Sequence, residues 1–184
     1  MRSWCNIISA LIVLTVSNTK LNLKRREYNS VVNEHSNNLF GYAYNFLRDR
    51  EDAEDIVQDV FERLWVNRRK VEPAKAKSWM FTTAHNAMIN FSTRKSRISL
   101  SDEMGIFDKG EVISDSYDSR EVVDRAVSIL PPIQKSIIIL RDLEGYSYTE
   151  IGEILDLSDS QVKVYLFRGR RKIKKQLKGL VELV

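Results

Sequence analysis

The chain has 184 residues, 43% of them hydrophobic, with only 7 Gly and 3 Pro. That length admits one domain or two small ones, and the shortage of turn formers and of long β-branched alternation favours helices. The formal charge of +4 and the pI near 9.1 point only weakly to nucleic acid. Cys5 is the sole cysteine, so an intrachain disulfide and a cysteine-based zinc site are excluded. His35 and His85 lie far apart, no HExxH spacing occurs, and no glycine-rich phosphate loop is present. No catalytic, metal or cofactor site is therefore expected.

The charge is arranged in blocks. Asp49 to Glu62 carries seven acids against Arg50, a net of −6. Arg63 to Arg97 carries nine bases against Glu72. Ser99 to Ser119 is acidic again, six acids against Lys109. Val162 to Lys178 holds eight Lys/Arg and no acid.

At the N-terminus, Ile7 to Val16 reads IISALIVLTV after Arg2. It is too short to span a bilayer as a helix, which needs ~20 residues. It reads as a non-structural extension over 1–20, with a signal-peptide core or an interfacial anchor as alternatives.

From Lys24 to Leu47 the spacing predicts one helix, or two joined near Ser36-Asn37-Asn38. Tyr28, Val31, Val32 and His35 form one stripe; Leu39, Tyr42, Ala43 and Phe46 form another. His35 reads as a core-edge histidine. Asp49 to Trp65 follows, DREDAEDIVQDVFERLW, with Ala53, Ile56, Val57, Val60, Phe61, Leu64 and Trp65 on one stripe. Asp49 or Asp52 can cap it. Asp52, Asp55, Gln58, Asp59 and Glu62 lie off that stripe, with almost no basic i,i+4 partners. A solvated face is the ordinary reading; the unrelieved charge favours a docking face for a basic protein partner.

Asn67 to Ala76 is a basic loop broken by Pro73. Lys77 or Ser78 then begins a helix to about Arg94, with Trp79, Phe81, Ala84, Met88 and Phe91 as its apolar surface. Asn86 and Asn90 share a face that Arg94 continues. Asparagine can pair with base edges, arginine with phosphate, and aromatics stack on unpaired bases. On this segment alone, core aromatics and exposed asparagines are the simpler reading. Residues 99–119 have no sustained period and read as a flexible acidic tether, ~70 Å at most at ~3.3–3.6 Å per residue.

In the last third, Ser119 can cap a helix carrying Val122, Val123, Ala126, Val127 and Leu130. Pro131-Pro132 ends it and opens an apolar helix, Ile133 to Leu143, that Gly145 terminates. Tyr148 to Leu155 is a short helix. Asp156-Leu157-Ser158 is a tight turn, and Ser158 caps a basic helix from Asp159 to about Leu177. Two helices across a three-residue turn, the second basic, form a helix-turn-helix pattern. Lys163, Val164, Phe167 and Arg168 lie on its outer face. Lys163 and Arg168 can reach guanine acceptors or phosphates, and Phe167 a thymine methyl.

DAEDIVQDVFERLW (Asp52 to Trp65) and LPPIQKSIIILRDLEGYSYTEIGEILDLSDSQVKVYLFRGRRKIKK (Leu130 to Lys175) occur in this order. On them the chain resembles a bacterial RNA polymerase sigma factor of the extracytoplasmic-function group, closest to the short members abundant in Bacteroidetes. The resemblance covers about Leu21 to Leu177. It implies an all-α fold of two small helical domains, 21–98 and 120–184, joined by the 99–119 linker. It implies no enzyme activity, no cofactor and no small-molecule substrate. Asp52, Asp55, Gln58, Asp59 and Glu62 would face the clamp of the largest subunit of core RNA polymerase. Arg69, Lys77, Trp79, Asn86, Asn90 and Arg94 would recognise and melt the −10 element, with Asn86 near a flipped base. Lys163, Val164, Phe167, Arg168 and Arg171 would read the −35 element. The implied partners are core polymerase, promoter DNA and an anti-sigma factor, often a membrane protein in this group; the implied place is the cytoplasm. Thr82 and His85 stand where many relatives carry arginine, Asp156 where a turn glycine is commoner, and Gly152 where alanine is usual. Two readings remain beside this one. A stand-alone helix-turn-helix repressor would bind a palindrome without polymerase, and a membrane-attached adaptor would rest on Ile7 to Val16 alone.

Overall fold

The computed structural model describes residues 23–102 and 125–181, and among these every regular element is helical. The N-terminal stretch 7–16, most of the acidic linker and the start of the helix expected after Ser119 lie outside the described residues.

Helix α1 spans Arg25–Leu47 without a break. Ser36-Asn37-Asn38 does not interrupt it, because Leu39, Tyr42, Ala43 and Phe46 continue the inward stripe at helical spacing and are all buried. Arg48 ends it in the left-handed region (φ 60°), its N–H donating to the Tyr44 carbonyl at 2.8 Å. Asp49 then caps helix α2 (Arg50–Asn67) by accepting from the Asp52 N–H at 3.1 Å, so the capping residue is Asp49 and not Asp52. Ala53, Ile56, Val60 and Leu64 bury the inner face of α2. A turn over 68–72 receives the Leu23 N–H on the Arg68 carbonyl at 2.8 Å. A 3-10 turn, Pro73–Lys75, leads into helix α3, Ala76–Asp102. That helix starts one residue before the expected position and runs past Arg94 into the first residues assigned to the linker.

In the second half, 125–128 is helical, and Ala126, Val127 and Leu130 are buried. Helix α4 spans Pro132–Ile138 and runs into a π turn, Ile139–Leu143, closed by the Glu144 N–H on the Ile139 carbonyl at 3.0 Å. The added residue shifts the inward face, so Leu143 is exposed although its spacing placed it with the apolar set. Gly145 follows at φ 78°, as its position after the helix predicts.

Helix α5 (Tyr148–Leu155) opens on a capping box. Ser147 Oγ accepts from the Glu150 N–H, and the Glu150 carboxylate accepts from the Ser147 N–H at 2.9 Å. Asp156 takes φ 54°, which aspartate tolerates. Helix α6 (Asp159–Val181) opens on a second box between Ser158 and Gln161. Gly152 is no mere weak helix former. A Cβ there would stand 2.5 Å from the Leu157 carbonyl oxygen, so glycine is what lets α5 and the turn close.

The two halves rest on each other. Buried residues of α1, α2 and α3 and of α4, α5 and α6 form one continuous core. Phe81 meets the Tyr146 ring edge-on at 5.2 Å between centroids. Thr82 Oγ1 lies 2.7 Å from the Ile154 carbonyl oxygen, and Lys77 Nζ pairs with the Glu150 carboxylate at 2.7 Å.

Candidate functional site

The acidic surface is built by the outward side of α2. Because Ala53, Ile56, Val60 and Leu64 hold the helix to the core, Asp52, Asp55, Gln58, Asp59 and Glu62 are carried to the opposite side. Asp55, Gln58 and Glu62 are exposed; Asp52 and Asp59 are half-buried. The charge is partly relieved, contrary to the expectation of almost no partners. Arg63 pairs with Asp59 and Arg50 with Glu54, each at 2.8 Å and i,i+4. Lys95 of α3 pairs with Asp52 at 2.8 Å, and that carboxylate holds the lysine above its ordinary pKa. Among the described residues Glu51, Asp55 and Glu62 have no ion-pair partner.

Two apolar residues adjoin these acids. Trp65 is 38% and Val66 75% exposed. With Tyr28, Phe40, Val57 and Phe61 they line a groove of ≈ 570 Å³ between α1 and α2, rimmed by Glu54, Gln58 and Glu62. The Trp65 ring packs edge-on against Tyr28 at 5.0 Å, under the Arg68 guanidinium at 4.1 Å. The sequence reading placed Trp65 inward and left Val66 aside. The available signal was position: Val66 falls off the apolar stripe, among the acids.

On α3 the residues expected to meet DNA divide between two faces. Asn86, Asn90 and Arg94 are exposed on one side, with Trp79 half-buried beside them. The Arg94 and Lys95 cations sit 5.8 and 5.5 Å from the Phe91 ring centroid. Arg69 is exposed in the turn before α3. Lys77 lies on a different side, paired with Glu150 and 4.4 Å from the Tyr146 centroid. Glu150 is held down to about 2, by the Lys77 ammonium first and then by its hydrogen bonds to Ser147.

Thr82 and His85 share the Lys77 side and also face the second half. His85 is 7% exposed, its Nδ1 3.0 Å from both Tyr42 Oη and Ser136 Oγ. Tyr42 donates to Ser136 at 2.8 Å. Ser136 donating in turn to Nδ1 satisfies the cluster and requires a neutral imidazole with its proton on Nε2. Burial lowers the His85 pKa to about 4 and raises that of Tyr42.

On α6, Val162 and Leu166 are buried and turn Lys163, Val164, Phe167, Arg168 and Arg171 to solvent. Phe167 is 67% and Val164 45% exposed, apolar groups presented amid cations. Arg170, outside the residues expected to meet DNA, donates from Nε to Asp142 at 3.1 Å and braces α6 against the π turn that follows α4. Tyr148 stands between Arg141 and Lys163, 4.8 and 5.6 Å from its centroid, and a groove beside it is lined by Phe167, Arg170, Arg171 and Lys174. A rigid helix with projecting cations and two apolar contacts suits a major groove. No cluster of His, Cys, Asp or Glu among the described residues could hold a metal ion, and none of their helices is long and apolar enough to cross a membrane.

Comparison with known proteins follows the same division. Residues 31–98 match the family described as Sigma-70 region 2, and residues 120–173 match Sigma-70 region 4. The chain is 28% identical over 142 residues to the ECF RNA polymerase sigma factor SigM of Bacillus subtilis (strain 168), covering 75% of this chain and 87% of SigM. It is 26% identical over 165 residues to SigW of the same organism, covering 82% and 88%. Its fold is similar to that of the sigma factor RpoE from Bartonella quintana, solved with the anti-sigma factor NepR. The TM-score is 0.65 at 23% identity, with 83% of this chain and 98% of that one covered.

Proposed function

The chain belongs to the sigma-70 family of RNA polymerase sigma factors, in its extracytoplasmic-function group, with regions 2 and 4 both present, and on that premise we propose how its surfaces divide the work of promoter-specific initiation. The observation that carries the reading is the separation of charge. One chain holds a negative face on α2 that would repel phosphate and a positive face on α6 that would attract it. A protein partner for the first and DNA for the second account for both.

Asp52, Asp55, Gln58, Asp59 and Glu62 dock on the clamp of the largest polymerase subunit, with Trp65 and Val66 adding apolar contact at the edge. Asn86, Asn90, Trp79, Arg69 and Arg94 engage the −10 element, while Lys77, paired with Glu150 on the other side of α3, stands apart from them. Aromatic and amide groups there return the few kcal/mol that extruding a base requires. Lys163, Val164, Phe167, Arg168 and Arg171 read the −35 element. Each DNA contact is weak alone, and polymerase raises the effective concentration of one half at its site once the other is bound. The factor performs no chemistry itself and acts where the polymerase is, in the cytoplasm. An anti-sigma factor, membrane-bound or free, holds it inactive by covering these surfaces; the similar RpoE was solved with such a partner.

Transcription in vitro with core polymerase, the protein and a promoter library tests the reading. A promoter-dependent transcript and a core complex are expected. Tight binding to a palindrome without core, and no transcript, would favour a repressor instead.

A further inference from the structure

The groove between α1 and α2 is apolar and open to solvent. Tyr28 and Phe40 of α1 and Val57, Phe61, Trp65 and Val66 of α2 line its ≈ 570 Å³, with Glu54, Gln58 and Glu62 at the rim. The two helices run antiparallel, so Tyr28 meets Trp65 at one end and Phe40 lies under Arg50 at the other. The twelve residues of α1 between those ends measure about 18 Å at ~1.5 Å per residue. The backbone enters at the Tyr28 end. Leu23 is buried, its N–H donates to the Arg68 carbonyl at 2.8 Å, and the Arg68 guanidinium covers the Trp65 ring at 4.1 Å. The 22 residues before Leu23, outside the described part, are therefore tied to the body at the mouth of this groove.

Those residues carry a matching surface. Residues 7–16, IISALIVLTV, are apolar at eight of ten positions. Residues 17–22 form a tether that reaches about 20 Å at ~3.3–3.6 Å per residue. Ten residues cover about 15 Å as a helix and about 33 Å as a strand, so either form spans most of the groove. The charges agree as well. Residues 1–20 hold Arg2 and Lys20 and no acid, while Glu62 on the rim has no ion-pair partner among the described residues. Joining the two removes apolar surface of both from water. We propose that residues 7–16 dock in this groove as an intramolecular ligand of region 2 and, lying beside Asp55, Gln58 and Glu62, compete with core polymerase for that side of α2. The competition rests on the sigma-factor reading above; the docking does not.

Disulfide trapping in the full chain tests the docking without polymerase. Cys5→Ser removes the sole native thiol. In that background Ile8→Cys is combined with Glu54→Cys, at the far rim of the groove, or with Glu153→Cys, exposed on α5, which does not line it. Both acids are exposed, so neither change disturbs the core. Mild oxidation should close a bond within the chain to position 54 at least about 10-fold faster than to position 153, the ratio expected if about 90% of chains hold the segment docked. Leu11→Glu with Leu14→Glu, outside both helical domains, should slow the bond to position 54 and, in the otherwise native chain, raise affinity for core polymerase about 10-fold.

Equal rates at the two positions mean random collision and overturn the proposal. A bond between chains, seen as a dimer on a non-reducing gel, puts a second copy in the groove and overturns it too. So does the absence of any bond; sedimentation of that chain with phosphatidylglycerol vesicles would make the segment a lipid anchor instead. A bond to position 54 with no gain in core affinity for the double glutamate variant overturns the competition. If core polymerase binds neither protein, the sigma-factor reading fails and the competition with it, while the trapping result still decides the docking.

Discussion

Lowering the pH should loosen this protein above all through its most buried imidazole. His85 is packed among Tyr42 of α1 and Ser136 of α4, and burial brings its pKa to about 4 against an ordinary 6.5. A folded pKa below the unfolded one means that the unfolded chain takes the proton first. Stability is therefore complete above pH 6.5, declines as the pH falls through that value, and has lost the whole contribution below pH 4. With those two pKa values the loss relative to neutral pH is about 2 kcal/mol at pH 5 and about 3 kcal/mol at pH 4. Neighbouring carboxylates work differently. Glu150, held to about 2, loses its contribution only as the pH falls below the usual carboxylate range, and Glu144, raised by burial, works in the opposite sense. His35, whose pKa burial also lowers, works in the same sense as His85, so what isolates His85 between pH 7 and 5 is the difference between the wild type and a His85 variant. Urea or thermal unfolding at pH 7, 6 and 5 should show the wild-type midpoint falling by about 4–8 °C across the interval, at ~2–4 °C per kcal/mol for a chain of this size. His85→Gln, which cannot titrate, should be less stable at pH 7 and fall less steeply over the same interval, with only His35 left to titrate. Equal pH slopes in the two proteins would refute the account of the buried cluster.

Three further outcomes follow from individual contacts. Asp55→Lys with Asp59→Lys should abolish binding to core polymerase in a pull-down or fluorescence titration while circular dichroism stays unchanged, because both side chains lie off the buried face of α2; retained core binding would remove the docking role of that helix. Phe167→Ala should lower discrimination between cognate and altered −35 duplexes by about 1–3 kcal/mol in competition binding, whereas Arg171→Ala, if it meets phosphate, should weaken all duplexes alike and reduce the salt slope by about one. Gly152→Ala should lower the melting temperature although alanine favours a helix by about 1 kcal/mol, because its Cβ would meet the Leu157 carbonyl oxygen at 2.5 Å; a stabilised variant would mean that the turn between α5 and α6 yields easily.

What was legible in the sequence was local. The stripes of α1 and α2, the Asp49 cap, Gly145 and the α5–α6 turn are written in residues three to four apart, and the helices follow them. The exposed faces of α2 and α6 could be read for the same reason: a buried stripe fixes what points away from it. The π turn was not legible, since it adds one residue to an apolar run that looks helical throughout, and only the exposure of Leu143 reveals it. The need for Gly152 was not legible for a related reason: helix propensity is a property of the residue, but a close approach is a property of two segments. The contact between the halves was the least accessible. Tyr42 meets His85 across 43 positions and Ser136 across 94, and a single polar residue on an apolar stripe carries no period.

The composition of that contact also bears on whether it can open. A purely apolar interface gains with every Å² buried, and once closed it has little reason to release. Here the centre is two hydroxyls and an imidazole, flanked by an ion pair and a hydroxyl–carbonyl hydrogen bond. Each such bond adds only about 0.5–1.5 kcal/mol net, because water would take its place after separation. Leaving one group unpaired inside the contact is far worse than exposing all of them, so the polar centre selects one geometry, while the apolar residues around it, Phe81 on Tyr146 among them, supply the depth. Lys77 holds Glu150 across this contact from the side of α3 away from Asn86 and Asn90. The pair is part-exposed and so adds little. Glu150→Gln, which keeps the Ser147 cap, should lower the melting temperature only slightly, and the loss should vanish in a Lys77→Gln background; an undiminished loss there would mean that Glu150 acts through its cap and not through the lysine.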